Sequence, residues 1–131
     1  MFDATGQYMG IFQGYAGGWF TVFHPTLSRS VEFGEGTGEV RIGWDLLFES
    51  NNCTGTPYMG ASASYRVVVY MGKTYGGEKA IPDLRYMGSY SNWVSGSCTA
   101  IVPPNQIHVV TAMEIMLPFS IPVALPLEFR Y

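Results

Sequence analysis

The groups through which this chain could do chemistry are few: two cysteines, two histidines and ten carboxylates among 131 residues. Cys53 lies in Phe-Glu-Ser-Asn-Asn-Cys-Thr-Gly-Thr-Pro-Tyr and Cys98 in Gly-Ser-Cys-Thr. A tetrahedral metal shell needs four ligands, and neither cysteine has a flanking histidine or a third cysteine to help complete one. Redox exchange of the Cys-x-x-Cys kind lacks its motif. A structural disulfide and a pair of buried free thiols remain as readings, and the disulfide is the expectation adopted. A Cys53–Cys98 bridge closes about 45 residues, which the chain-entropy model values at roughly 4 kcal/mol. Asn52-Cys53-Thr54 has the form of a glycosylation sequon. It is read as a chance match, because a glycan there would crowd the bridge.

Neither histidine is placed like a general base. His24 precedes Pro25, so its backbone is extended at a strand end, and it is expected at a surface or interface. His108 and Glu114 share one face of a strand, but six residues of strand separate them by about 20 Å. The carboxylates form no recognisable local pair, although a fold can assemble a glycosidase-type pair from distant residues. Gly34-Glu35-Gly36-Thr37-Gly38 lacks the lysine and helix of a phosphate loop, and Glu35 and Glu39 lack the ligand spacing of a Ca²⁺ site. No catalytic residue, metal ligand or cofactor is therefore assigned, and the chain is read as not an enzyme.

Binding is easier to supply than catalysis. Three tryptophans and nine tyrosines give large rings with polar tips, suited to stacking on sugars or to interfaces. Trp44 belongs to the apolar face of a strand and is read as core. Trp19 follows a Gly-Gly turn and Trp93 a Ser-Asn pair. Each is either core or, with Tyr90, part of an exposed interface or ligand-binding surface.

The elements that must position these groups are strands. Val40, Ile42, Trp44, Leu46 and Phe48 alternate with mostly polar neighbours, the period-two pattern of a half-buried strand. Tyr65–Met71 alternates with a second apolar face, which predicts a strand covered on both sides. Ile107–Met116 alternates again. Gln7–Tyr15 and Trp19–His24 flank Ala16-Gly17-Gly18, a hairpin turn, and Ser30–Phe33 is a further short strand. Weaker strand signals lie at Tyr58–Gly60, Arg85–Tyr90 and Trp93–Val102. No window of ten residues supports an amphipathic helix. Tyr-Met-Gly recurs four times at irregular spacing, which predicts similar strand ends with bends or bulges at Gly rather than a repeat array. The methionines in it are expected to fill gaps in the core.

The C-terminal run differs. Pro118, Pro122 and Pro126 punctuate a segment carrying Leu117, Phe119, Ile121, Val123, Leu125 and Phe129. Proline withholds the N–H that a central strand needs, yet these side chains are too apolar to be solvated. The division expected is a β domain over 1–116 and a Pro-punctuated strand or arm over 117–131. That arm packs either on the same domain or on a neighbouring subunit. The six apolar residues are its candidate interface.

Composition narrows the class further. Charged residues are 13% of the chain, about half the usual share, and the formal net charge is −3. Seven scattered Lys and Arg make no stripe that could neutralise phosphates, so nucleic acid is not an expected partner. No apolar run approaches the ~20 residues of a transmembrane helix. Met1 leads into Phe-Asp-Ala-Thr-Gly rather than a signal sequence, so the chain is read as a mature form or, by preference, an excised domain of an exported protein, with an intact small cytoplasmic protein as the alternative.

Phe2-Asp3-Ala4-Thr5-Gly6-Gln7-Tyr8-Met9-Gly10, Val22–Arg29, Leu47–Tyr58 with its Ser-Asn-Asn-Cys-Thr-Gly core, and Gly96-Ser97-Cys98 before a Pro-rich apolar end occur in this order. The order resembles an uncharacterised β domain of exported bacterial and phage proteins, often found after collagen-like or fibre-like stretches. The richness in Tyr-Met-Gly departs from that family. The resemblance implies an extracellular, cell-surface or virion location and an oligomer, and it supplies no active site. The expectation is thus an all-β antiparallel sandwich or jelly-roll-like domain of eight to ten strands. It acts as a structural or adhesive module that self-associates as a trimer or filament, with a glycan or cell-surface receptor as a further partner. The alternatives are a carbohydrate-binding module and a small-ligand-binding β-barrel.

Overall fold

The computed structural model describes residues 1–40, 45–92 and 97–129. Among them are nine strands, no α-helix and one 3-10 turn at Ala61–Ala63. The fold is all-β, built from two antiparallel sheets. Contacts divide the chain into two compact units, Met1–Arg41 with Met116–Tyr131, and Ile42–Ile115. The two chain ends thus group together in one unit.

The first unit holds a three-stranded sheet in the order β1 (Ile11–Ala16), β2 (Trp19–His24), β3 (Arg29–Gly34). Gly17 and Gly18 have φ of 58° and 85°, the paired positive angles that match a hairpin turn to strand twist. The register sets Phe20 opposite Phe33, Val22 opposite Val31 and His24 opposite Arg29. Val22, Val31 and Phe33 are fully buried on this face.

The C-terminal segment closes over its own unit. The Phe119 ring lies 5.4 Å from Phe33 and 5.8 Å from His24. Val123 N–H donates to the Gly38 carbonyl at 2.9 Å, and Phe2 and Glu128 exchange backbone bonds at 2.8 and 2.7 Å. Gly38 has φ +70°, and a Cβ there would strike the Val123 carbonyl oxygen. Over its described residues the segment makes one isolated bridge, Phe2 with Glu128, rather than a strand, because a proline every four residues removes the donors a ladder requires.

Asp3 ties the beginning of the chain to this segment. Its fully buried carboxylate accepts the Thr5 N–H (3.0 Å), the Thr5 hydroxyl (2.8 Å), the Gln7 N–H (2.9 Å), the Gln7 side-chain amide (2.6 Å) and, more weakly, the Ala124 N–H (3.4 Å). Burial alone would raise its pKa. The bonds from Gln7 and Thr5, and the backbone bond from Ala124, outweigh burial and hold it at about 2. The Asp-x-x-Gly-x-x-x-Gly phrase is therefore a structural clasp. Gly10, at φ +125°, completes it where a Cβ would stand 2.6 Å from the Phe23 carbonyl oxygen.

The second unit holds β4 (Leu47–Phe48), β5 (Tyr58–Gly60), β6 (Val67–Tyr70), β7 (Lys73–Gly77), β8 (Asp83–Ser91) and β9 (Cys98–Glu114). Their order is β5-β4-β8-β9-β7-β6, and β5 also pairs with β9. The pairings β4–β5, β5–β9, β9–β8 and β8–β4 therefore close a four-strand ring. Successive residues of β9 point to opposite faces, and each face meets its own cluster. Leu46, Phe48, Met59, Val68, Val110 and Ala112 form one, and Tyr58, Met87 and Val109 the other. This is why Val109 and Val110 are both buried, where simple alternation predicted one buried face.

The expected disulfide is present, joining Cys53 to Cys98 with their Cα atoms 5.9 Å apart. Buried Ser89 supports it from β8, accepting the Cys53 N–H at 2.9 Å and donating to the Ser50 carbonyl at 2.7 Å. Pro103 and Pro104 sit inside β9 without breaking the sheet. Residues 101–104 stand opposite Gly88 alone, in the register shift between Met87 and Ser89. A Cβ on Gly88 would lie 2.7 Å from the Ser50 carbonyl oxygen.

Several sequence expectations change. The strand expected over Val40–Phe48 becomes a single bridge at Val40 and the two residues of β4, and its centre, including Trp44, lies outside the described residues. Strand β7 was not foreseen, since Lys-Thr-Tyr-Gly-Gly has no apolar alternation. Its position follows from the turn before it, where Met71 and Gly72 have φ of 49° and 75°. His24 is buried, not at a surface: its ring packs between Tyr8 (5.6 Å) and Phe119 (5.8 Å). Met9, Met59 and Met87 are fully buried as the Tyr-Met-Gly reading expected, and Met71 is the exposed exception.

Candidate binding cleft

The described surface with the most chemical character is an aromatic cleft on the first unit. It begins with a β-bulge. Phe12 pairs with Val22 but Gly14 pairs with Thr21, so Gln13 is an extra residue in β1. The bulge rotates the strand so that Phe12 and Tyr15, three apart, both face Phe20. The ring centroids lie 6.4 and 5.0 Å from that of Phe20. Phe129 meets Phe12 edge-on at 5.3 Å.

Beside this group lies a cleft of about 440 Å³, lined by Phe20, Glu35, Leu125, Pro126 and Leu127. Glu35 follows the end of β3 and is fixed by its own N–H donating to the Gly18 carbonyl at 2.9 Å. The Tyr15 hydroxyl donates to one carboxylate oxygen, Oε2. That bond raises the Tyr15 pKa, with a smaller contribution from burial. The cleft thus offers apolar walls, the half-buried Phe20 ring and one oriented carboxylate.

The second unit carries a different cluster. The Tyr58 hydroxyl donates to Glu49 at 3.0 Å, and the Arg85 guanidinium lies 5.2 Å from the Tyr58 ring centroid. Arg85 also pairs with Glu49 at 3.4 Å and with Asp83 at 3.5 Å. Burial, and then the bond to Glu49, raise the Tyr58 pKa. These ion pairs are exposed and answer one another within the cluster. Among the described residues, no group of three His, Cys, Asp or Glu side chains converges as a metal site would require.

The residues singled out from sequence are scattered relative to these features. Phe119 and Val123 are buried in the first unit and leave no surface for a partner. Leu125 lines the cleft, Leu117 is half-buried, and Ile121 and Phe129 are exposed. Trp19 is half-buried at the start of β2, opposite Gly34. Tyr90 is half-buried on β8, opposite Leu47 and Thr99, and Trp93 lies outside the described residues. His108 is exposed opposite Leu84. Sequence reasoning missed Phe12, Tyr15, Phe20 and Glu35. The available signal was Gly14 within an aromatic run whose spacing breaks period two.

No family model, curated protein or solved structure matches the chain.

Proposed function

We propose that the protein is a non-enzymatic module of an exported bacterial or phage surface appendage, structural or adhesive in role, and that it self-associates. The observation that carries the reading is the open side of the first unit. Strand β1 is an edge strand without charge or proline, and Ile11, Phe12 and Tyr15 on it, with Phe129 beside it, are exposed. Unprotected edges with exposed apolar side chains invite pairing with a further chain. The bulge at Gln13 interrupts the edge, so ring-to-ring contact carries the association more than a long ladder does. The Cys53–Cys98 bridge supports an extracellular setting, since such bonds persist in oxidising compartments. The assembly is a closed trimer or an open filament, in which the patch meets a different surface of the next copy head to tail. Light scattering of Phe12→Ser combined with Phe129→Ser tests it: the variant has the molar mass of a folded monomer, and an unchanged assembly would remove the patch from the account.

Carbohydrate binding is the second reading. It is favoured by the half-exposed Tyr15 ring standing beside the Glu35 carboxylate, a stacking surface with a hydroxyl acceptor. A glycan array probed with wild type and Tyr15→Ala distinguishes it, because a sugar site gives signals that the variant loses. The small-ligand barrel has less support, since a ring of four strands is far narrower than the eight that enclose a ligand.

A further inference from the structure

The walls of the cleft are apolar on every side but one. Phe20, Leu125, Pro126 and Leu127 supply ring and aliphatic surface, and Glu35 is the ionisable residue among those that line it. The Tyr15 hydroxyl occupies Oε2 of that carboxylate, and among the described residues Oε1 takes no hydrogen bond or ion pair. The carboxylate is held in place from two directions, by its backbone bond to Gly18 and by Tyr15, so it is oriented before any ligand arrives. An anion is repelled by this arrangement. A neutral apolar ligand would strip water from Glu35 without replacing it.

We propose that this cleft binds an alkylammonium cation of the lysine side-chain class, its methylene stem against Leu125, Pro126 and Leu127 and its charged head at Glu35. Long cationic side chains bury their stems on apolar surface while the head stays near water, and the Phe20 ring adds a face that attracts cations. The cleft volume of about 440 Å³ is within the range of small-ligand sites. Tyr15 has a positioning role, because it restricts the carboxylate without closing its second oxygen.

The test is two-dimensional NMR of the full chain titrated with Nα-acetyl-lysine methylamide, with the norleucine counterpart as the neutral stem. The expected result is saturable shifts at Phe20, Glu35, Leu125 and Leu127, with a dissociation constant on the order of 1 mM. The norleucine compound, and the lysine compound on Glu35→Gln, bind about fivefold or more weakly, the loss of one exposed ion pair. Tyr15→Phe binds more weakly than wild type but more tightly than Glu35→Gln, because the carboxylate keeps its charge and loses the bond that orients it. Absence of saturable shifts, or equal binding of the neutral stem, would overturn the proposal. So would equal binding by Glu35→Gln. The readout is residue by residue, so its failure is distinct from a failure of the self-association reading.

Discussion

Phe12 and Tyr15 are three residues apart in one strand, yet both rings lie against Phe20. In a regular strand, odd spacing sends two side chains to opposite faces. The extra residue Gln13 cancels that, and with it the aromatic surface of the first unit is assembled.

Deleting Gln13 restores the regular register and turns one of the two rings away from Phe20. The expected cost is about 1–3 kcal/mol, seen as a lower urea midpoint with loss of the ring-current shifts of Phe20. Retention of both the midpoint and the shifts would show that the bulge does not organise the rings.

The Asp3 clasp makes a stability prediction with a definite sign. Its folded pKa of about 2 lies below the ordinary carboxylate value of 3.8, so its contribution is present above pH 3.8 and is lost as pH falls toward 2. Asp3→Ala removes the acceptor of several buried donors and costs roughly 2–4 kcal/mol. It also flattens the acid limb of the stability curve, which thermal unfolding at a series of pH values would read.

His24 gives the opposite kind of titration at higher pH. Burial lowers its folded pKa beneath the ordinary imidazole value of 6.5, so the unfolded chain takes up the proton first. Stability therefore declines as pH drops below 6.5, until the folded pKa is passed. Nδ1 has no hydrogen-bond partner, so a ring without nitrogen loses no bond there. His24→Phe, set between Tyr8 and Phe119, should keep the fold and remove this pH dependence. A variant as acid-sensitive as wild type over that range would assign the dependence elsewhere.

The bridge is predicted to matter for the second unit. Reduction, or Cys53→Ser with Cys98→Ser, costs about 2–5 kcal/mol. Ser89→Ala in the intact protein strands the Cys53 N–H and costs about 1–3 kcal/mol. Hydrogen exchange resolved by residue reads both. The loss of protection should be strongest at β4, β8 and the start of β9.

The disulfide, the all-β class and the Gly17-Gly18 hairpin were legible from sequence because each depends on local chemistry or on period-two spacing. So was the buried role of Met9, Met59 and Met87. The C-terminal prolines announced a segment that could not form a ladder, but not where it would lie. That depends on the distant partners Gly38, Ala4 and Phe2. The aromatic cleft was illegible for a related reason. Its residues come from β2, the Gly34–Gly38 turn and the chain end, and a bulge in β1 decides which rings stand beside them. His24 was misplaced because X-Pro geometry fixes its backbone and says nothing about what Phe119 will cover.

The central claim is that the exposed rings of the first unit join copies of this chain. Sedimentation velocity of the unmodified, oxidised protein over a hundredfold dilution tests it most directly. The predicted result is a species heavier than the 14.5 kDa monomer that dissociates on dilution or holds as a defined oligomer. A single 14.5 kDa species at every concentration would contradict it.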